Sequence, residues 1–294
     1  MVLHYAHLCA AAGGVDAFLI GTEMRGLTTI RSSASSYPAV QAYRDLLADV
    51  RSTLGSGTKI GYAADWSEYF GHQPGDGSGD VFFHLDPLWA DPEIDFVGID
   101  NYMPLSDWRD GFEHADAQEG WPAIYDRAYL QANIAGGEGF DWFYASAADR
   151  FAQVRTPITD GAASKPWVFR YKDLRAWWSN AHYDRPGGVE SGTPTAWVPQ
   201  SKPIWFTELG CPGDGICSRD AACARGSGRQ PHHEGRWRGR SGDTGCCRGG
   251  GCAERPGRDP ERDPAARAVP RHASLGVHCR GAWRHRGHDL RPAR

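Results

Sequence analysis

Apolar residues recur with two different periods along the first two hundred positions, and the periods alternate. Leu3, Ala6, Leu8, Cys9 and Ala12 fall at helical spacing, and Gly13-Gly14 supplies a stop. Residues 15–20 form an apolar run broken only by Asp16 and closed by Gly21-Thr22-Glu23, which predicts a short strand buried on both faces. Pro38–Leu54 predicts an amphipathic helix. Pro38 suits a first turn, Val40, Tyr43, Leu46, Leu47 and Val50 share a stripe, and Asp45, Asp49 and Arg51 lie off it. Strand-like runs return at 59–64, 94–99 and 203–206, leading into Asp65-Trp66, Asp100-Asn101-Tyr102 and Thr207-Glu208 respectively. A long Trp-rich excursion separates the last two, with helices expected near 145–154 and 172–181. Each run follows a helix or a long connection, and no two-residue hairpin signal joins them. The rhythm predicts an α/β fold with a parallel sheet and function at the C-terminal ends of its strands.

Charge divides the chain in a way its averages conceal. Residues 1–215 carry 15 Lys+Arg against 28 Asp+Glu, a net of −13, which argues against nucleic acid as a partner of this segment. Residues 216–294 carry 17 Arg, no Lys and 8 Asp+Glu, a net of +9, and hold six of the eight cysteines. Arginine without lysine, mixed with Gly, Pro, Ala and Cys, is what GC-rich codons yield in a shifted frame. Residues 215–294 are therefore read as a frame-disrupted, unstructured tail following a domain at 1–214. Zinc and nucleic acid are the rival readings of the tail, although its cysteines form no CxxC pair. No basic region follows Met1 in the manner of a signal peptide, and no apolar run reaches membrane-spanning length.

The strand ends carry the candidate chemistry. Glu23 alone reads more readily as a charge at a helix start than as a catalyst. Thr207-Glu208 repeats the pattern of apolar strand, Thr and Glu, and two such ends in one parallel fold point to a working pair. Glycoside hydrolysis needs two carboxyl groups flanking the bond, one to protonate the leaving oxygen and one to attack or stabilise the sugar carbon. Asp65, Trp66, Asp100, Asn101 and Tyr102 add hydroxyl-binding and ring-stacking groups at the intervening strand ends. Trp66 is as well explained by packing, whereas Trp89, Trp177 and Trp178 are read as packing residues. His72 and His84 flank a Gly-rich stretch containing Asp76 and Asp80, where a solvated loop is favoured over a metal site. No P-loop, dinucleotide fingerprint or nucleophile elbow is present, so neither cofactor nor metal is expected.

The segments FLIGTEMRGL, IGYAADWSEYFG, IDFVGIDNYMPLSDW and KPIWFTELGCP resemble the fourth to seventh strands of clan-A retaining glycosidases, in a β-mannanase-like branch. Together with WVFRYKDLRAWWSNAHYDRPGGV they are most similar to the TIM-barrel-like domain of gene transfer agent and phage tail-hub proteins, over residues 1 to about 213. The resemblance implies a partial (β/α)8 barrel holding the equivalents of strands four to seven. It implies Glu23 as acid/base, Glu208 as nucleophile and Tyr102 as an aromatic hydroxyl near the nucleophile. Thr22 stands where the clan commonly places an Asn that binds the sugar 2-hydroxyl. The implied ancestral reaction is retaining cleavage of β-glycosidic bonds in surface polysaccharide, the chain itself being read as a fragment of such a protein. The alternative is a non-catalytic structural or glycan-binding tail component. The implied partners are polysaccharide and other particle proteins, with no nucleic acid and no membrane insertion, in a phage-like particle made in the bacterial cytoplasm.

Overall fold

A computed structural model describes residues 1–210; the tail expected at 215–294 and its boundary lie outside the described residues. Helix α1 (Val2–Ala11) leads into strand β1 (Ala17–Thr22). The short α2 (Arg25–Thr28) and the long α3 (Pro38–Leu54) connect β1 to β2 (Lys59–Asp65). A loop containing α4 (Asp86–Trp89) then leads to β3 (Phe96–Asn101). Within the following excursion, β4 (Trp142–Phe143) and β5 (Thr156–Pro157) form a small antiparallel ribbon, and the sheet resumes with β6 (Ile204–Leu209). The order is β1-β2-β3-β6, and every neighbouring pair is parallel. This is the expected α/β architecture, a parallel sheet consistent with part of a TIM-like barrel.

Local chemistry explains the element limits. Pro38 occupies the first turn of α3, where its missing N–H costs nothing. Gly55 ends the helix at φ 73°, a conformation that L side chains adopt only with strain. Val40, Leu47 and Val50 are buried, while Tyr43 and Leu46 pack half-buried against the same core. Off the stripe, Arg51 reaches down to the strand starts, donating to the carbonyls of Thr58 and Glu93 at 2.7 Å and to Asp95 at 2.6 Å. Strand β1 begins two residues later than the apolar run suggested. The Val15 carbonyl is taken by the Thr58 hydroxyl at 2.9 Å, so this part of the run serves as a lead-in to the sheet.

The helices cover one face of the sheet. There Tyr62 packs between Tyr43 of α3 and Trp89 of α4, with ring centroids 5.1 Å and 5.9 Å away. Any side chain at Gly21 would meet the Tyr43 ring at 2.9 Å, so α3 approaches β1 closely at that point. On β2, a side chain at Gly61 would collide with the Phe96 ring, which itself stacks on Trp205 of β6 at 4.0 Å.

The excursion builds a second layer of aromatic packing. Trp177 and Trp197 enclose the buried His182, which is bonded to Asp86 at 2.9 Å and stacked on Phe83. Trp89 and Trp177 are fully buried, and Trp178 donates its indole N–H to the Lys202 carbonyl at 2.7 Å. In the Gly-rich loop, Arg31 binds Asp76 and Asp80 at 3.0 and 3.1 Å. Burial pushes His72 down to about 4 and His84 down to about 3, so both imidazoles are neutral packing groups near Tyr37. None of the described helices is long and apolar enough to cross a membrane.

Candidate active site

Two irregularities in strand register shape the C-terminal end of the sheet. Between β1 and β2 the pairing shifts after Leu19, so that Thr22 lies opposite Ala63. Between β3 and β6 the register runs from Ile99↔Phe206 to Asp100↔Glu208 and passes over Thr207. Both threonines turn onto one carboxylate. The Thr22 hydroxyl donates to Asp100 Oδ2 at 2.8 Å, and the Thr207 hydroxyl donates to Asp100 Oδ1 at 2.6 Å. The buried Asp100 is thereby clamped from two strands, with an exposed glutamate next to each clamp.

Glu23 is held in a left-handed backbone conformation, φ 50°, which is uncommon for a residue other than glycine. Its amide donates to the Ala63 carbonyl at 2.8 Å, and the next amide, that of Met24, donates to the Tyr62 hydroxyl at 3.0 Å. Tyr62 in turn donates to Glu68 at 2.9 Å. Glu68 also accepts from the Thr28 hydroxyl at 2.5 Å and from the Asp65 amide at 3.2 Å. This buried carboxyl therefore ties the loop carrying Glu23 to the end of β2. Burial pushes Glu68 up to about 7 against the pull of its three donors.

One carboxylate oxygen from each of Glu23, Asp100 and Glu208 lies within 4.8 Å of the others. Tyr102 donates its hydroxyl to Glu208 at 2.7 Å. Partial burial raises the Glu23 carboxyl above its ordinary pKa, and the negative charges of Asp65, Asp100 and Glu208 raise it further. Burial also raises Asp100, although its two threonine donors oppose the shift. The hydrogen bond to Glu208 raises the Tyr102 phenol. A hard cation can use carboxylates at this spacing. Here the hydroxyls of Thr22, Thr207 and Tyr102 already bind Asp100 and Glu208, and the repulsion that remains adds to the raised proton affinity of Glu23. The arrangement sets a carboxyl of raised proton affinity, Glu23, across from one held by a phenol hydroxyl, Glu208.

Of the residues singled out from sequence, Thr22, Glu23, Asp100, Tyr102 and Glu208 gather at this point, with Asp65 close enough to act on Glu23. Asp65 takes the Ser67 amide at 2.7 Å. Asn101 turns its side-chain oxygen to the Met103 amide at 3.1 Å, fixing the turn after β3. Trp66 is 8% exposed, and its ring packs against Tyr171 at 4.8 Å. Two participants were missed. Thr207 is visible as half of a repeated Thr-Glu pair, whereas Glu68 lies in the segment IGYAADWSEYFG with no spacing that singles it out.

The family model for the GTA TIM-barrel-like domain matches residues 1–221. The chain belongs to this family. It is thus a gene transfer agent component with a TIM-barrel-type fold, and the parallel sheet is this domain's core. A search of curated proteins finds no match to the chain. In this GTA TIM-barrel-like domain the acidic cluster occupies the end of the sheet where barrel chemistry is ordinarily found.

Proposed function

We propose that the domain carries out retaining hydrolysis of a β-glycosidic bond in a surface polysaccharide, as part of a phage-like particle that meets the cell envelope. The observation that carries this reading is the approach of the Glu23 and Glu208 oxygens to within 4.8 Å. Retaining enzymes hold their carboxyl groups about 5–5.5 Å apart, whereas inverting enzymes leave room for a water at about 6.5–9.5 Å. Glu23, with its raised proton affinity, donates a proton to the leaving oxygen while ionised Glu208 attacks the anomeric carbon. Glu23, now ionised, then takes a proton from water, which displaces Glu208 and restores both groups. The Tyr102 hydroxyl positions Glu208 for the attack, and Thr22 supports the site through Asp100.

The test is release of reducing ends from a panel of β-linked polysaccharides by the full chain, with the first-formed anomer read by NMR. Glu208→Gln is expected to lower turnover by about 10⁴-fold or more. Turnover that persists in the variant, or an inverted first product, overturns the assignment. One observation favours a second reading, glycan binding without turnover. The Thr22 hydroxyl is committed to Asp100, in the place where the resemblance implies a group for the sugar 2-hydroxyl. Polysaccharide binding by the wild-type chain without release of reducing ends would establish that reading.

A further inference from the structure

A cavity of about 330 Å³ lies between the excursion and the loop after β2, beside the β4–β5 ribbon, and shares no lining residue with the acidic cluster. Its walls include the rings of Phe70, Tyr144, Phe169 and Tyr171, and its polar groups include Glu138 and Arg150. Arg150 grips Glu138 with both terminal nitrogens, at 2.5 and 3.2 Å, and lies over the Tyr144 ring at 4.7 Å. The Tyr171 side chain is fixed by close approach. A side chain at Gly139 would come within 2.0 Å of its ring, and Gly139 itself sits at φ 83°. Its main chain is held by the Tyr69 hydroxyl, which donates to the Tyr171 carbonyl at 2.6 Å. Yet the Tyr171 hydroxyl, on a residue only 6% exposed, has no hydrogen-bond partner. Tyr171, Glu138 and Arg150 all line the same aromatic-walled space.

We infer that this cavity is a second ligand site, built for one neutral sugar unit. A buried hydroxyl without a partner costs about 1–3 kcal/mol, which a bound hydroxyl would recover. The carboxylate and guanidinium neutralise each other, so the site favours a neutral ligand over a phosphate or carboxylate. Aromatic walls with a few placed polar groups suit a ring that is apolar on its faces and hydroxylated at its edge. Tyr171 also packs against Trp66, the residue after Asp65, which puts a single layer of rings between this cavity and the end of β2. The choice of a sugar as ligand rests on the glycan reading given above; the site itself rests on the cavity.

The experiment is saturation-transfer NMR of the full chain with millimolar neutral hexoses and N-acetylhexosamines. It compares wild type, Tyr171→Phe, Glu138→Gln and Glu208→Gln, with thermal melts confirming that each is folded. At least one sugar is expected to bind wild type and Glu208→Gln alike, and to bind Tyr171→Phe about tenfold more weakly. Tyr171→Phe removes only the unpartnered hydroxyl, so it is expected to fold even where Glu138→Gln does not. Binding by no sugar overturns the inference, as does binding that is lost in Glu208→Gln but unchanged in Tyr171→Phe. Absence of hydrolysis with binding intact removes the glycosidase reading and leaves this site standing.

Discussion

Buried acids in the excursion and acids at the strand ends are treated in opposite ways. In the excursion, Arg155 spans Asp107 at 3.0 Å, Asp116, and Glu119 at 2.7 Å, Arg109 adds a second contact to Asp107, and Arg150 holds Glu138. At the strand ends, Glu23, Asp65, Asp100 and Glu208 form no ion pair among the described residues and draw only on hydroxyls and amides. The first arrangement offsets the cost of taking charge out of water. The second leaves like charges facing each other, and partial burial, with that repulsion added, raises the proton affinity of Glu23 and Asp100. Unneutralised acids at the mouth of a sheet mark chemistry, and neutralised acids mark construction.

The contrast can be broken most severely through Arg155. Arg155→Ala leaves the buried Asp116 without its cation and Asp107 with Arg109 alone, and is expected to cost about 3–5 kcal/mol in urea unfolding. A loss below about 1 kcal/mol would place the excursion's pairs on the same footing as exposed ones. Next in size is Glu68, whose proton affinity rises on folding from 4.5 to about 7. The folded chain therefore binds this proton more tightly than the unfolded chain. The associated stability is complete below about pH 4.5 and falls away by about 3 kcal/mol as the pH rises through 7. Glu68→Gln is expected to flatten that slope in melts taken between pH 4 and 8; an unchanged slope rules out Glu68 as its source.

Asp65→Asn sharpens the comparison within the cluster. Removing this charge lowers the proton affinity of Glu23, so the alkaline limb of the activity profile is expected to move to lower pH. A shift to higher pH would contradict the electrostatics described here. The smallest effect is expected for Asp100→Asn, which keeps a side-chain oxygen for one threonine and removes a like charge. Its stability in urea should change by less than about 1 kcal/mol. A loss matching that of Arg155→Ala would erase the distinction between the two regions.

The sheet was legible because β2 and β3 are buried on both faces, which leaves an uninterrupted apolar run in the sequence. Strand β6 carries the same signal, but Trp205, Phe206 and Leu209 are 40%, 47% and 72% exposed. An apolar run identifies a strand without identifying what covers it. The ribbon β4–β5 was not legible, since two residues per strand display no period. The helices of the excursion are shorter than the spacing near 145–154 and 172–181 predicts, because polar caps set their starts. Ser146 accepts from the Asp149 amide and Asp173 from the Ala176 amide, which starts those helices at Ala147 and Leu174. Within the site, the repeated Thr-Glu step exposed both glutamates. The roles of Glu68 and Tyr171 depend on partners far away in the chain, such as Thr28 and Glu138, and no local spacing encodes them.

The two register irregularities give the members of each Thr-Glu step separate duties. The threonine hydroxyl is committed to Asp100, while the exposed glutamate beside it leaves Asp100 to its neighbour. Selection can therefore act on neighbouring codons independently. A lineage that abandoned cutting but kept the barrel would let positions 23 and 208 drift while holding 22 and 207. A lineage still cutting would hold all four. The history of these adjacent positions across relatives would thus record whether the particle's barrel serves as a blade or only as a strut.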